Sequence, residues 1–135
     1  TRIANMNKLI QEVILQSAKN IDLKKADMIA KIEQFAREIH DEALLESQKA
    51  YMHNALDKLD VHEEITRFCG QLKKLNAILN GNDIEKGKTL DFTLQECNRE
   101  INTIAAKASC LEINTTAIEV KIEIEKMRQQ VQNII

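Results

Sequence analysis

Proline and tryptophan are absent from this chain, and glycine occurs only three times in 135 residues, where average usage would give about seven prolines and about nine glycines. So few turn formers exclude an all-β fold with many tight turns and predict an all-α chain. Aromatic residues make up 3% of the sequence, so its core has to be aliphatic. Charge of one sign is missing as well: 19 Lys and Arg stand against 21 Asp and Glu, a net charge of −2. No overall basic field therefore draws nucleic acid. No run approaches the roughly 18 apolar residues of a membrane span, and no signal peptide is recognisable. No membrane partner is expected.

Cysteine gives no chemistry away either. Cys69, Cys97 and Cys110 form no CxxC pair, and reduced thiols in an intracellular, cytoplasmic chain are the expectation. The run His62-Glu-Glu-Ile-Thr66 lacks the second histidine of a zinc-protease motif. His40, His53 and His62 have no nucleophile at a recognisable spacing. Lys73, Lys74, Lys86 and Lys88 could touch phosphates or form a solvated face, and no phosphate-binding glycine loop accompanies them.

What is present is helical periodicity. With 44% hydrophobic and 30% charged residues the chain is globular, and its length suits a single helical domain, residues 1–135. Apolar residues recur at three and four from Ile3 to Lys58. An interruption is predicted at Asn20-Ile-Asp22, with Asp22 capping a second, long helix. Asp60 and Glu63 form a capping box, so a helix should start near Val61 and carry Ile65, Phe68, Leu72, Leu75 and Leu79 on one face. Gly70 inside it predicts close helix contact. Asn80-Gly-Asn-Asp83 is the strongest turn signal, with a loop expected to run on to Lys88. The segment from Ile118 to Glu125 alternates like a strand, but Ile113, Ala117, Val120, Ile124, Met127, Val131 and Ile134 keep a four-three seam that predicts a helix. That helix would be apolar on two sides, through Ile118 and Ile122 as well, which predicts a bundle interior or a subunit interface. The architecture expected is a bundle of long helices closed by an antiparallel C-terminal hairpin, assembled as an oligomer.

Polar residues are most informative between Lys88 and Lys107. Leu90, Leu94, Cys97, Ile101, Ile104 and Ala108 form one packing stripe. On one side of it lie Asp91, Gln95, Asn98 and Asn102, and on the other Glu96, Arg99, Glu100, Thr103 and Lys107. Glu96 and Glu100, four apart, repel each other unless something neutralises them. They could share Mg²⁺ or Mn²⁺, or be neutralised by Arg99, Lys107 or another helix. Asp91 could join them only through a neighbouring helix or subunit, since the two edges face about 120° apart or more. The amides Gln95, Asn98 and Asn102 could read nucleic acid or bond across a helix interface.

The segment Gly87-Lys-Thr-Leu-Asp-Phe-Thr-Leu-Gln-Glu-Cys-Asn-Arg-Glu-Ile-Asn-Thr-Ile-Ala-Ala-Lys107 resembles the hallmark of the YicC/YloC family, G-R-(R/K)-L-D-F-x-x-Q-E-x-N-R-E-x-N-T-x-x-x-K. Asp57-Lys-Leu-Asp-Val-His-Glu-Glu-Ile-Thr-Arg67 is similar to its D-K-x-D-I-x-E-E-I-x-R block, and the stretch from Val120 to Ile134 to its closing block. The resemblance implies the C-terminal helical domain of a longer bacterial protein, with a further domain preceding Thr1. It also implies a metal-dependent endoribonuclease, using Mn²⁺ or Mg²⁺, that cuts single-stranded RNA and forms a homo-oligomer, expected to be a hexamer. The site it implies contains Glu96, Arg99, Glu100 and Lys107 as catalytic residues and Asp91, Glu96 and Glu100 as metal ligands. Gln95, Asn98, Asn102 and Lys88 would bind RNA, with Asp60, Glu63, Glu64 and Arg67 nearby.

The chain departs from the family pattern at charged positions. Family members usually carry histidine where Gln71 stands and glutamate where Tyr51 stands. Lys88 replaces an arginine, keeping the charge and losing the planar fork, and Thr89 replaces a base. Glutamates are usual where Gln129 and Ile135 stand. If the missing histidine moves a proton in the family, this chain has weakened or lost catalysis. The alternatives are then a non-catalytic oligomerisation module, an RNA-binding regulator or an inactive member.

Overall fold

The computed structural model describes residues 2–81, 84–108 and 110–133. Among them are five α-helices and no strand: α1 Arg2–Glu38, α2 Glu42–Leu59, α3 His62–Leu79, α4 Lys86–Ala108 and α5 Leu111–Gln132. The all-α expectation holds, and the alternating stretch 118–125 lies inside α5.

The predicted break at residues 20–22 is corrected. α1 runs through it without interruption, because Asn20 turns its side chain outward and its Nδ2 donates to the Ala108 carbonyl at 3.2 Å. That bond satisfies an end group of α4. The chain breaks instead at residues 39–41, where Asp41 has extended backbone and its Oδ1 accepts from the N–H groups of Ala43 and Leu44 at 3.0 and 3.2 Å. This is a helix N-cap. The predicted capping box at the start of α3 is not made: the N-cap is Val61, without a side-chain cap bond, Asp60 Oδ1 accepts instead from the His62 N–H at 2.9 Å, and Glu63 pairs with Arg67.

The core is built by α3, α4, α5 and the first half of α1. Met6, Ile10 and Val13 of α1 are buried with Ile65, Phe68, Leu72 and Leu75 of α3, and Leu79 is left at the rim. All six residues of the predicted α4 stripe are buried, as are Ile113, Ala117, Val120, Ile124, Met127 and Val131 of α5. Ile134 and part of the predicted Asn80–Asp83 turn lie outside the described residues. α4 packs on α3 and α5, and α1 packs on both of those. The four helices thus form a ring, with α4 and α1 on opposite corners and α4–α5 as the expected C-terminal hairpin.

Beyond Ser17, α1 has no buried residue, and α2 has none at all. The rest of α1 packs with α2, which also touches α4; Met28, Ile32, Phe35, Leu45, Met52 and Leu56 are half-buried there. The two segments form a hairpin arm on the bundle. α1's 37 residues make it about 55 Å long.

Two glycine expectations change. A Cβ on Gly70 would meet nothing within 4 Å, so no close helix contact requires that glycine. Gly87 lies inside α4, which begins at Lys86. Lys86 closes the turn by donating from Nζ to the carbonyls of Leu79 at 2.7 Å and Gly81 at 3.4 Å. Its charge serves the C-terminus of α3.

Candidate functional site

α4 is a single helix with three differently employed polar edges. Its outward stripe, opposite the core, carries Lys88, Phe92, Gln95, Arg99 and Asn102, all exposed. Its two flanks are taken up by different neighbours, as the 120° separation requires.

On the α3 flank, five charged side chains interlock. Lys107 Nζ donates to Glu64 Oε1 at 2.7 Å. Arg67 Nε donates to both carboxylate oxygens of Glu100, at 3.1 and 3.2 Å. The same guanidinium pairs with Glu63 through Nη1 and reaches Glu64 Oε1 at 3.7 Å through Nη2. One arginine therefore serves three carboxylates, two of them buried: Glu64 is 5% exposed and Glu100 9%. Buried carboxylates need such partners to stay charged. Burial alone would raise the Glu64 carboxyl, but the Lys107 hydrogen bond, a backbone hydrogen bond and the charges of Lys107 and Arg67 outweigh it. Its pKa lies below the ordinary 4.5.

The arrangement leaves two loose ends. Glu64 Oε2 is buried without a hydrogen-bond partner, and so is Gln71 Oε1, one helical turn beyond Arg67. Most buried polar atoms are satisfied, and an orphan costs about 1–3 kcal/mol. The antiparallel pairs Glu64–Lys107 and Arg67–Glu100 set a register that puts Gln71 opposite the turn of α4 carrying Glu96. A polar seam therefore runs along α3 and α4 from Glu64 to Gln71 and from Lys107 to Glu96.

On the other flank Asp91 is fully employed. Its Oδ1 accepts from Arg128 Nε of α5 at 3.0 Å, and its Oδ2 from Gln95 Nε2 at 3.0 Å. Asp91 is thus an interhelix tie on the α5 side, while Glu100 faces α3. The expected ligand trio of Asp91, Glu96 and Glu100 is not gathered in one chain. Among the described residues, no group of three or more His, Cys, Asp or Glu side chains is placed to hold a metal. Glu96 and Glu100 do sit one turn apart on the seam. Among the described residues Glu96 is ion-paired only with Arg99, at 3.5 Å.

The remaining candidates divide cleanly. Lys88, Gln95 and Asn102 face solvent and Asn98 is half-buried. Asp60 bonds the His62 N–H just before α3 rather than joining the charge cluster. His40, His53 and His62 are exposed. Cys97 is buried, and burial, aided by the nearby Glu100 and Glu96 charges, pushes its thiol up to about 12. It is no nucleophile. Sequence reasoning missed the buried amide oxygen of Gln71 and the exposure of Phe92. The second was readable, since Phe92 falls diametrically opposite the α4 core stripe.

Residues 10–135 match the family model described as endoribonuclease YicC-like, C-terminal. The chain belongs to this family. A probable endoribonuclease YicC of Haemophilus influenzae is 33% identical over 136 aligned residues, which cover 96% of this chain and 47% of that protein. A probable endoribonuclease YicC of Clostridioides difficile is 48% identical over 81 residues, covering 58% of this chain and 26% of the relative. The YicC-like domain described here thus spans about half the length, or less, of the curated relatives it matches. No helix among its described residues is long and apolar enough to cross a membrane.

Proposed function

We propose that this YicC-like domain supplies the α3–α4 seam to a metal-dependent endoribonuclease that cuts single-stranded RNA. The observation that carries the reading is the interlocked cluster of Glu64, Arg67, Glu100 and Lys107, whose carboxylates are buried while both cations keep an exposed side. Carboxylates anchored behind Arg67 and Lys107 fix those cations in place, ready for the oxygens of a phosphodiester and the charge that develops on them. Arg99, exposed beside Glu96, adds a third.

Glu96 and Glu100, one turn apart, suit a hard divalent cation such as Mg²⁺ or Mn²⁺, which commonly takes one or two protein carboxylates and completes its shell with water and substrate phosphate. Such an ion, when bound, supplies activation of water and neutralisation of phosphate charge. Glu96, the less engaged of the two carboxylates, is the group to accept a proton from attacking water. Asp91 has no part in this set.

The test is cleavage of a single-stranded RNA oligonucleotide with Mg²⁺ or Mn²⁺, comparing the complete protein with its Glu96→Gln/Glu100→Gln variant. A loss of about 100-fold or more is expected, the lower end of what acid–base catalysis contributes. Equal cleavage by both proteins would sink the assignment. Tight, salt-sensitive binding of uncut RNA by the unaltered protein would instead favour an RNA-binding regulator, as glutamine at position 71 has no proton to exchange near neutral pH. A second reading, an assembly module, is favoured by exposed Ile118 and Ile122 on α5.

A further inference from the structure

The chain has four aromatic residues, and the fold treats them unequally. Phe68 is fully buried and Phe35 half-buried, while Tyr51 on α2 is 71% exposed and Phe92 stands 57% exposed in the middle of α4. Core packing does not ask for a phenyl there. Leu90, Leu94 and Cys97 fill the buried stripe around it and are 0–2% exposed, and an exposed ring forgoes the benefit of burial.

Its neighbours give it a meaning. Positions 88, 92, 95, 99 and 102 follow one another at steps of four and three, so Lys88, Phe92, Gln95, Arg99 and Asn102 make one continuous line on the outward face of α4. From Lys88 to Asn102 the line is about 21 Å long. It holds two cations, two amides, one aromatic face and no acid. Two carboxylates border it: Glu96, paired with Arg99 at 3.5 Å, and Asp91, which takes Arg128 on one oxygen and Gln95 of the line itself on the other, each at 3.0 Å. In a chain of net charge −2, the line itself carries two positive charges, Lys88 and Arg99, with both acids at its borders.

An exposed ring between cations and amides has the composition of a single-strand platform, in which bases stack on aromatic faces while cations follow the phosphates. We infer that Phe92 is a base-stacking residue: an unpaired nucleobase lies on its ring, with Lys88 and Arg99 on the adjoining phosphates and Gln95 and Asn102 offered to base edges or ribose hydroxyls. The inference rests on the single-stranded RNA reading above and adds the residue that holds the strand. Stacking is indifferent to base identity because every base has a π face. The strip therefore selects for single strands over duplexes, whose bases are already stacked, rather than for sequence.

The test is the affinity of a fluorescently labelled single-stranded RNA oligonucleotide for the protein and its Phe92→Leu and Phe92→Trp variants. Leucine keeps the apolar bulk and loses the ring. Phe92→Leu is expected to bind about 5- to 150-fold more weakly, the span of one base stack, with an unchanged slope of affinity against salt. Arg99→Gln, by contrast, should flatten that slope by about 0.7. The chain has no tryptophan, so Phe92→Trp adds a reporter that should retain affinity and be quenched as RNA is added. RNA binding that is unaltered in Phe92→Leu, together with an unquenched Phe92→Trp, overturns the stacking role and leaves the RNA reading standing. Failure of the unaltered protein to bind RNA overturns both. A fall in oligomer mass in Phe92→Leu at constant RNA affinity would assign the face to a protein partner and overturn the proposal.

Discussion

Glu64 shows how one side chain can be both a foundation and a liability. It is buried, charged and only half satisfied: Oε1 takes the Lys107 ammonium and Oε2 takes nothing. Its folded-state pKa is depressed, so the stability it contributes is complete above the ordinary carboxyl value of 4.5 and is lost as pH falls through the lower folded value. Replacing it by glutamine removes the charge and leaves Lys107, which is more than a third exposed, to water. A loss of about 1–2 kcal/mol is expected at pH 7, less than for a fully buried pair because solvent screens the lysine. Urea midpoints at pH 7 and pH 3 check this. The gap between the unaltered protein and Glu64→Gln should shrink at the lower pH, and a gap that stays constant would mean that the carboxylate's charge is not what holds the pair. Asp91 is the opposite case, a carboxylate with both oxygens answered and therefore a tie between helices.

At the scale of the helix, Gly70 is a correction that becomes a prediction. Nothing within 4 Å awaits a Cβ at that position, so Gly70→Ala should stabilise α3 by up to about 1 kcal/mol by reducing the freedom of the unfolded chain. The melting temperature should rise by about 3–5 °C; a fall would reveal a contact the open space does not suggest. The same helix explains what was legible beforehand and what was not. Ile65, Phe68, Leu72 and Leu75 were found because burial imposes a period that the sequence must obey. The α4 stripe and α5 seam were found the same way, even through a stretch that alternates like a strand. Helix ends obey tertiary bonds instead. Asn20 looked like a breaker because its use, the Ala108 carbonyl, lies 88 residues away. Asp41 was passed over because apolar spacing continued through Ile39. In the site, the polar edges of α4 were legible from helical spacing, and the Glu63, Glu64 and Arg67 block was named from the family pattern. Only packing reveals that Arg67 binds Glu100 while Asp91 binds Arg128, since neither partner choice is written in spacing along one helix.

The whole molecule is a four-helix ring with a long arm, and its unused surfaces decide how it meets other molecules. α4 shows the ring's exterior a strip with two cations and an aromatic ring, whereas α5 shows it an apolar one. Leu111, Thr115, Ile118 and Ile122 are spaced four, three and four apart, the spacing of a coiled-coil seam. Leu111, Ile118 and Ile122 are 78%, 59% and 48% exposed. The inner seam of α5 is already filled by the bundle, so this outer line is a second seam without an occupant among the described residues. If a second copy covers it, self-association is expected, and the assembly should depend on those side chains. Light scattering on the unaltered chain should then give a multiple of 15.4 kDa, and Ile118→Glu/Ile122→Glu should fall toward the single-chain mass while keeping its helical circular dichroism. The paired change is placed on solvent-facing positions so that the ring itself is left intact. A monomer at about 100 μM before any substitution would remove the assembly role from α5. An oligomer unmoved by the substitutions would shift that role to the arm, where α1 and α2 pack together without one fully buried residue on α2.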